Sequence, residues 1–340
     1  MNHQWVLKSR PHDEVSDACF EWRQATMPTP GPGEALVRVV WLSIEPTQRT
    51  WLNPRATYIS PVELGEVMRG VGVGQVIDSR SERLAVGDWV AGMTGWQEYA
   101  LAGDSGLFGF NKVPDGIEPK AMLNLYGASG LTAWIGMTDV ARAAPGETVL
   151  VSGAAGSVGS IAGQVARLRG CRVIGIAGGP HKADWVTRVA RFDACIDYKS
   201  EDIRTRLQAL APKGVDVFFD NVGGPALEAA LDQLAVRARV VLCGAVSSGY
   251  KDHDYGATPR NYMQLAFKRA RMEGFIFLDH VPRFPEAFRE LSTWAARGEL
   301  VLAESIAEGL EQAPSALRGL FEGRNLGKQL VRVAALPSPR

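Results

Sequence analysis

"VLVSGAAGSVGS", residues 149–160, decides how this chain folds. The apolar run Val149–Val151 leads into Gly153, Gly156 and Gly159, and the residues that follow, "SVGSIAGQVARLRG", carry apolar side chains at helical spacing. Strand, glycine turn and helix in that order let the backbone turn tightly. A pyrophosphate can then approach the positive end of the helix. A tight turn with close strand–helix packing and no ligand is the plainer alternative. The second strand pattern, "CRVIGIAGG" (171–179), tips the reading to a dinucleotide.

Moving outward, "KADWVTRVARF" reads as a helix and "ACIDY" as a third strand, followed by the helix "DIRTRLQALA" and the strands in "VDVFFDNVGG" and "ARVVLCGAV". This alternation implies βαβ units and a doubly wound parallel sheet, so the fold class is α/β. The first 110 residues have another texture. "EALVRVVWLSI" (34–44), "VGVGQVIDS" (71–79) and "GDWVAGM" (87–93) are strands separated by turns and glycines, an irregular, antiparallel, partly barrel-like β domain. "NLGKQLVRV" (325–333) is one more strand, assigned back to that domain. The expected division is 1–122 with 304–340 for the β domain, and 123–303 for an inserted cofactor domain.

Composition excludes several classes. Lys plus Arg and Asp plus Glu both total 37, and the resulting zero net charge argues against a nucleic-acid or anionic-membrane binder. No apolar run approaches the roughly 20 residues that span a bilayer, and "MNHQWVLKSRPHDE" has no apolar signal core, so a cytoplasmic protein is expected. Cys19, Cys171, Cys195 and Cys243 are scattered, and so are His3, His12, His181, His253 and His280. That pattern fits neither a disulfide framework nor a zinc cluster, and no metal is expected.

The choice of dinucleotide turns on the end of the second strand. "AGGPHK" (177–182) has no acid for a ribose 2′-hydroxyl before Asp184, whereas Lys182 suits a 2′-phosphate, which favours NADP(H) over NAD(H). An ordinary solvated lysine is the alternative. Hydride chemistry without a metal needs a hydrogen-bond or proton donor near the acceptor oxygen. Tyr250 and Tyr255, in the loop after "ARVVLCGAV", are the candidates, and for each a loop tyrosine that merely anchors the chain is an equal reading.

With these motifs in place the chain resembles the zinc-independent medium-chain dehydrogenases/reductases, in the group of leukotriene B4 dehydrogenase/prostaglandin reductase and the double-bond (alkenal/one, curcumin-type) reductases. The resemblance runs through "PTPGPGEALVRVVWLSIEPTQR", "MRGVGVGQV", "GWQEYA", "GASGLTAWIGM", "GAAGSVGS", "DNVGG", "VLCGAVS", "PRNYMQLAFKRARMEGFIF" and "NLGKQLVRV". It implies a GroES-like irregular β-barrel catalytic domain beside a Rossmann domain. It also implies NADPH-dependent reduction of the C=C bond of α,β-unsaturated aldehydes and ketones by hydride transfer to the β-carbon, in a homodimer.

Motif by motif, the resemblance implies a pyrophosphate turn of Gly153, Gly156, Ser157, Val158 and Gly159. Lys182 and Tyr198 would hold the 2′-phosphate end. Asn221, Cys243, Gly244 and Ala245 would line the crevice, with Phe275, Ile276, Phe277 and Asn325 toward the nicotinamide. The family tyrosine falls on Tyr250, one inserted residue late, with Tyr255 its substitute. Two departures stand out: Thr47 replaces a frequent tyrosine in "EPTQR", and Ser43 and "MRGVG" stand where zinc-using relatives carry a cysteine and "GHE". The competing functions are an NADPH:quinone reductase and a noncatalytic NADPH-binding sensor.

Overall fold

The computed structural model describes residues 1–103, 109–252 and 259–336. Contacts divide the chain into two compact units. One comprises Met1–Asn124, Tyr250–His253 and Glu304–Arg340, and the other Leu125–Gly249 and Asp254–Ala303. The short Tyr250–His253 stretch thus groups with the β-rich unit, although it lies inside the 123–303 span that sequence texture assigns to the cofactor domain.

In the second unit six strands form one sheet in the order Ala194–Asp197, Arg172–Ala177, Thr148–Ser152, Val215–Asp220, Leu234–Leu242, Arg271–Gly274. Every neighbouring pair is parallel. The central strands are buried on both faces, which is why they read as unbroken apolar runs rather than alternating ones. Chain order reverses between Thr148–Ser152 and Val215–Asp220, and that switch point opens a crevice at the carboxyl ends of the strands. Helix Ser157–Leu168 packs its Gly163 against the Phe192 ring, which a Cβ would meet at 1.9 Å.

In the first unit Ala35–Ile44 is the central strand of a seven-stranded sheet. It pairs antiparallel with Gly72–Ser79, Tyr99–Ala102 and Lys328–Arg332, so the C-terminal strand does return to this unit. One pair departs from the antiparallel expectation: Glu304–Glu308 runs parallel to Lys328–Arg332. The reason is local, since helix Ala313–Phe321 lies between them in sequence and makes the connection a crossover rather than a hairpin. The core of this unit is built on Leu42, Ile44, Leu52, Met68 and Trp96, all at most 1% exposed.

Candidate functional site

The glycine turn has the geometry its spacing suggests. Gly153 has φ +59°, in the left-handed region that costs glycine little. Gly156 is the N-cap of helix Ser157–Leu168 and supplies no side-chain cap. The positive end of the helix thus faces the turn with no side-chain cap from its own N-cap residue. A Cβ on Gly159 would sit 2.3 Å from the Gly153 carbonyl oxygen, so only glycine lets turn and helix approach this closely.

A buried polar network fixes the switch point. Ser152 and Asp220, both 0% exposed, close the two strands that flank it. Ser152 Oγ donates to Asp220 Oδ1 at 2.7 Å and accepts from the Asn221 N–H at 2.8 Å. The Asn221 side-chain amide donates to the Ser152 carbonyl at 2.7 Å. Asp220 Oδ1 also takes the Val222 and Gly223 N–H groups at 3.0 Å, and its backbone carbonyl takes those of Cys243 and Gly244. Burial raises the Asp220 carboxyl pKa against these hydrogen bonds. Gly153, Asn221, Cys243, Gly244 and Ala245 are thereby held at neighbouring strand ends. Sequence reading missed Ser152 and Asp220, whose one signal is a polar residue closing each apolar run.

The next strand ends carry a second cluster. Asp197 Oδ1 accepts from the Gly179 N–H at 2.6 Å and from that of Lys199 at 3.1 Å, and the Gly179 bond is the main reason its carboxyl is held low. The Tyr198 ring lies over Gly178, where a Cβ would meet it at 2.7 Å. Lys182 sits in the short helix Pro180–Asp184, and its pKa is lowered, first by burial and then by the charge of Lys199. Lys182 thus follows the second strand and Lys199 the third, near enough for the charge of Lys199 to act on Lys182. Lys199, beside the recognised Tyr198, was not singled out from sequence.

Other candidates stand elsewhere. The Phe275 ring meets Phe219 edge-on at 6.5 Å, and the Phe277 ring stacks on Phe284 at 6.0 Å. A cavity of about 550 Å³ beside the edge strand shares only Phe275 with these candidates, and its lining includes Asp139, Arg142, Glu273, Asp279 and Arg283. Asn325 belongs to the first unit and donates from Nδ2 to the Gly327 carbonyl at 2.8 Å, bracing its own turn. Tyr250 also belongs there. It has φ +49°, its carbonyl accepts from Asn53 Nδ2 at 3.1 Å, and its ring meets Phe321 edge-on. Tyr255 lies outside the described residues. Among the described residues no three His, Cys, Asp or Glu side chains gather as a metal ligand set.

Comparison with known proteins places this architecture. Residues 3–110 match the family described as the N-terminal domain of oxidoreductase, and residues 157–296 the family described as zinc-binding dehydrogenase. The chain is 37% identical to the NADPH-dependent curcumin reductase of Escherichia coli, over 98% of this chain and 97% of that one. The chain is a zinc-independent medium-chain dehydrogenase/reductase. Within that family it is 34% identical to the NADP(+)-dependent 2-alkenal reductase of Nicotiana tabacum, over 98% of each chain. The crystal structure of CurA from Vibrio vulnificus in complex with NADPH superposes with a TM-score of 0.91 at 38% identity, covering 98% of this chain and 100% of that one.

Proposed function

We propose that this family member is an NADPH-dependent enone reductase, reducing the C=C bond of α,β-unsaturated aldehydes and ketones. The observation that carries this reading is similarity along 98% of the chain to reductases of curcumin and of 2-alkenals, acceptors that share a carbon–carbon double bond conjugated to a carbonyl. NADPH, when bound, supplies the hydride, which goes to the β-carbon of the acceptor.

The fit of the cofactor to this chain rests on its own geometry. Gly153, Gly156, Ser157, Val158 and Gly159 provide the glycine turn and helix start for the pyrophosphate. Lys182, with Tyr198 and Lys199 beside it, receives the 2′-phosphate. Asn221, Cys243, Gly244 and Ala245 line the crevice next to the glycine turn, braced by Ser152 and Asp220. Phe275, Ile276 and Phe277 stand at the nicotinamide end. The Tyr250 phenol donates a hydrogen bond to the acceptor carbonyl as negative charge builds on its oxygen. Its backbone is positioned for this by Asn53, which is in turn hydrogen-bonded by the buried Arg49 guanidinium.

The enzyme works as a cytoplasmic homodimer in this reading. No described helix is long and apolar enough to cross a membrane. The edge strand Arg271–Gly274 pairs only with Leu234–Leu242 among the described residues, and it leaves a row of backbone groups for a second copy.

The test is NADPH oxidation with trans-2-alkenals, an aryl enone and a quinone, with products identified by mass. Saturated carbonyls are expected. Hydroquinone as the sole product would move the enzyme to quinone reduction, and cofactor binding without turnover of any acceptor would leave a sensor.

A further inference from the structure

Gly249 and Tyr250 are consecutive residues in the left-handed region, with φ of +66° and +49°. For the glycine this costs little, but a bulky side chain stays in that region only where its surroundings hold it there. What holds Tyr250 is a ring of contacts that closes on itself within the first unit.

The ring starts at Arg49, on helix Pro46–Leu52, whose side chain is fully buried. One end of its guanidinium, Nη1, donates to Asn53 Oδ1, and the other, Nη2, donates to the Asp13 carbonyl at 3.2 Å. Asn53 Nδ2 passes the constraint on by donating to the Tyr250 carbonyl at 3.1 Å, across 197 positions of the chain. The next residue, Lys251, brings Nζ within 3.5 Å of Asp13 Oδ1, so the path returns to residue 13. This last contact is exposed and adds least. Arg10 secures the same corner from outside, donating from Nη1 to the Leu52 and Asn53 carbonyls at 3.0 and 3.2 Å.

The chemistry of the ring favours orientation over stability. A buried guanidinium is costly, and Arg49 Nε finds no hydrogen-bond partner among the described residues. Burial lowers its pKa, opposed by nearby charges that include Asp252 and Asp13. An apolar side chain would fill the position without that cost. What the planar fork supplies is two donors in fixed directions, one for the Asn53 amide and one for the Asp13 carbonyl. The amide then accepts at one end and donates at the other, which a carboxylate of the same shape cannot do.

We propose that Arg49 and Asn53 are positioning residues for the reaction. Acting through the backbone of Tyr250, and closed by the Asp13 segment, they fix where the phenol stands against the acceptor carbonyl. This rests on the reading of Tyr250 as the donor to that carbonyl.

The experiment is a double-mutant cycle between positions 53 and 250, read as kcat for 4-phenyl-3-buten-2-one with NADPH. Asn53→Asp keeps the side chain's size and its acceptor for Arg49, and removes the donor to Tyr250. It is expected to lower kcat by about fivefold or more while NADPH affinity holds. In a Tyr250→Phe background the same substitution should change kcat by less than about twofold, because no phenol is left to place. Arg49→Lys keeps the charge but cannot serve Asn53 and the Asp13 carbonyl together, and it should show the same dependence on background. It carries the cycle alone if Asn53→Asp does not fold. Equal losses in the two backgrounds would overturn the proposal and mark a structural role. So would an Asn53→Asp variant within about twofold of the wild type while Tyr250→Phe is impaired, and the Tyr250 reading would then stand without it. If Tyr250→Phe itself matches the wild type, the donor reading falls and takes the proposal with it. A wild type that reduces no enone would overturn the enone-reductase reading and this proposal together.

Discussion

Lys328 Nζ lies 2.8 Å from Glu45 Oε1, an ion pair across the C-terminal strand in which the lysine is 1% exposed. Ser43 Oγ donates to the same carboxylate oxygen at 2.9 Å. Burial alone would raise the Glu45 carboxyl, but the charge and hydrogen bond of Lys328, with Ser43 beside them, outweigh it and hold the pKa below its usual 4.5. The pair anchors the start of helix Pro46–Leu52, the helix that carries Arg49.

Removing one partner should therefore be costly, and its pH dependence has a defined sign. Lys328→Met leaves a buried carboxylate unpaired and is expected to destabilise by about 3–5 kcal/mol at pH 7. Adding Glu45→Gln should recover much of that. Because the folded-state pKa of Glu45 is depressed, its contribution in the wild type is complete above about pH 4.5 and is lost as pH falls through the lowered value. In Lys328→Met burial is opposed only by the Ser43 hydrogen bond, the pKa rises, and acidification from neutral pH should relieve the variant. Urea unfolding at pH 7, 5 and 4 measures both slopes. Parallel slopes in wild type and variant would contradict the pairing account.

Gly159→Ala tests the cofactor turn without touching a charged group. The new Cβ would meet the Gly153 carbonyl oxygen at 2.3 Å and its carbon at 2.9 Å, and backbone cannot yield as a flexible side chain can. The expected cost is about 1–3 kcal/mol of stability, with NADPH affinity falling further because turn and helix separate. Gly298→Ala is a useful control, since it is strained only by its own φ of +67° and no atom lies within 4 Å of its Cβ. It should lower Tm and leave NADPH affinity unchanged. Fluorescence titration of NADPH with thermal unfolding separates the two.

Lys182→Ala should raise KM for NADPH by about tenfold or more and leave NADH nearly unaffected, since only NADPH carries the 2′-phosphate. Lys199→Ala should give a smaller effect of the same sign, and the double variant should lose most of the cofactor preference. The proximity of the two ammonium groups is what lowers Lys182 beyond its burial. If the NADPH/NADH ratio survives both substitutions, the phosphate is bound elsewhere.

How much of this could be seen in the sequence follows from the range of the interactions. Val149–Gly159 is local: strand, turn and helix are adjacent in the chain and each has its own residue signature, so sheet and turn are legible together. The return of Lys328–Arg332 to Ala35–Ile44 is legible because an apolar strand needs a sheet to join. Ser152 with Asp220, Lys182 with Lys199, and Asn53 with Tyr250 are different. Each pair is brought together by the fold, and neither member announces its partner by spacing. The parallel Glu304–Glu308 pairing was hidden for a similar reason, because the strand is short and only half-buried.

Tyr250→Phe keeps the ring against Phe321 and the backbone bond to Asn53, and removes only the phenol oxygen. If that oxygen donates to the acceptor carbonyl, kcat should fall by about tenfold to a hundredfold while NADPH affinity holds. Stopped-flow oxidation of prebound NADPH isolates the step. A variant whose kcat matches the wild type would return Tyr250 to the role of a loop anchor.

The cysteines make a final, independent prediction. An enone is an electrophile toward thiolates, so a reductase for such compounds needs quiet thiols near its acceptor. Burial pushes the Cys243 and Cys195 thiols up to about 12 and that of Cys171 up to about 11. At pH 8 that leaves at most about one part in a thousand of each as thiolate, the form that reacts. Incubation with a 2-alkenal or iodoacetamide at pH 8, followed by peptide mass analysis, should leave these three unmodified in the folded protein and modify them after unfolding. Rapid modification of Cys243 in the folded protein would show that the crevice end of the Leu234–Leu242 strand opens in solution, and the account of Cys243 as an unreactive thiol lining the crevice would fall with it.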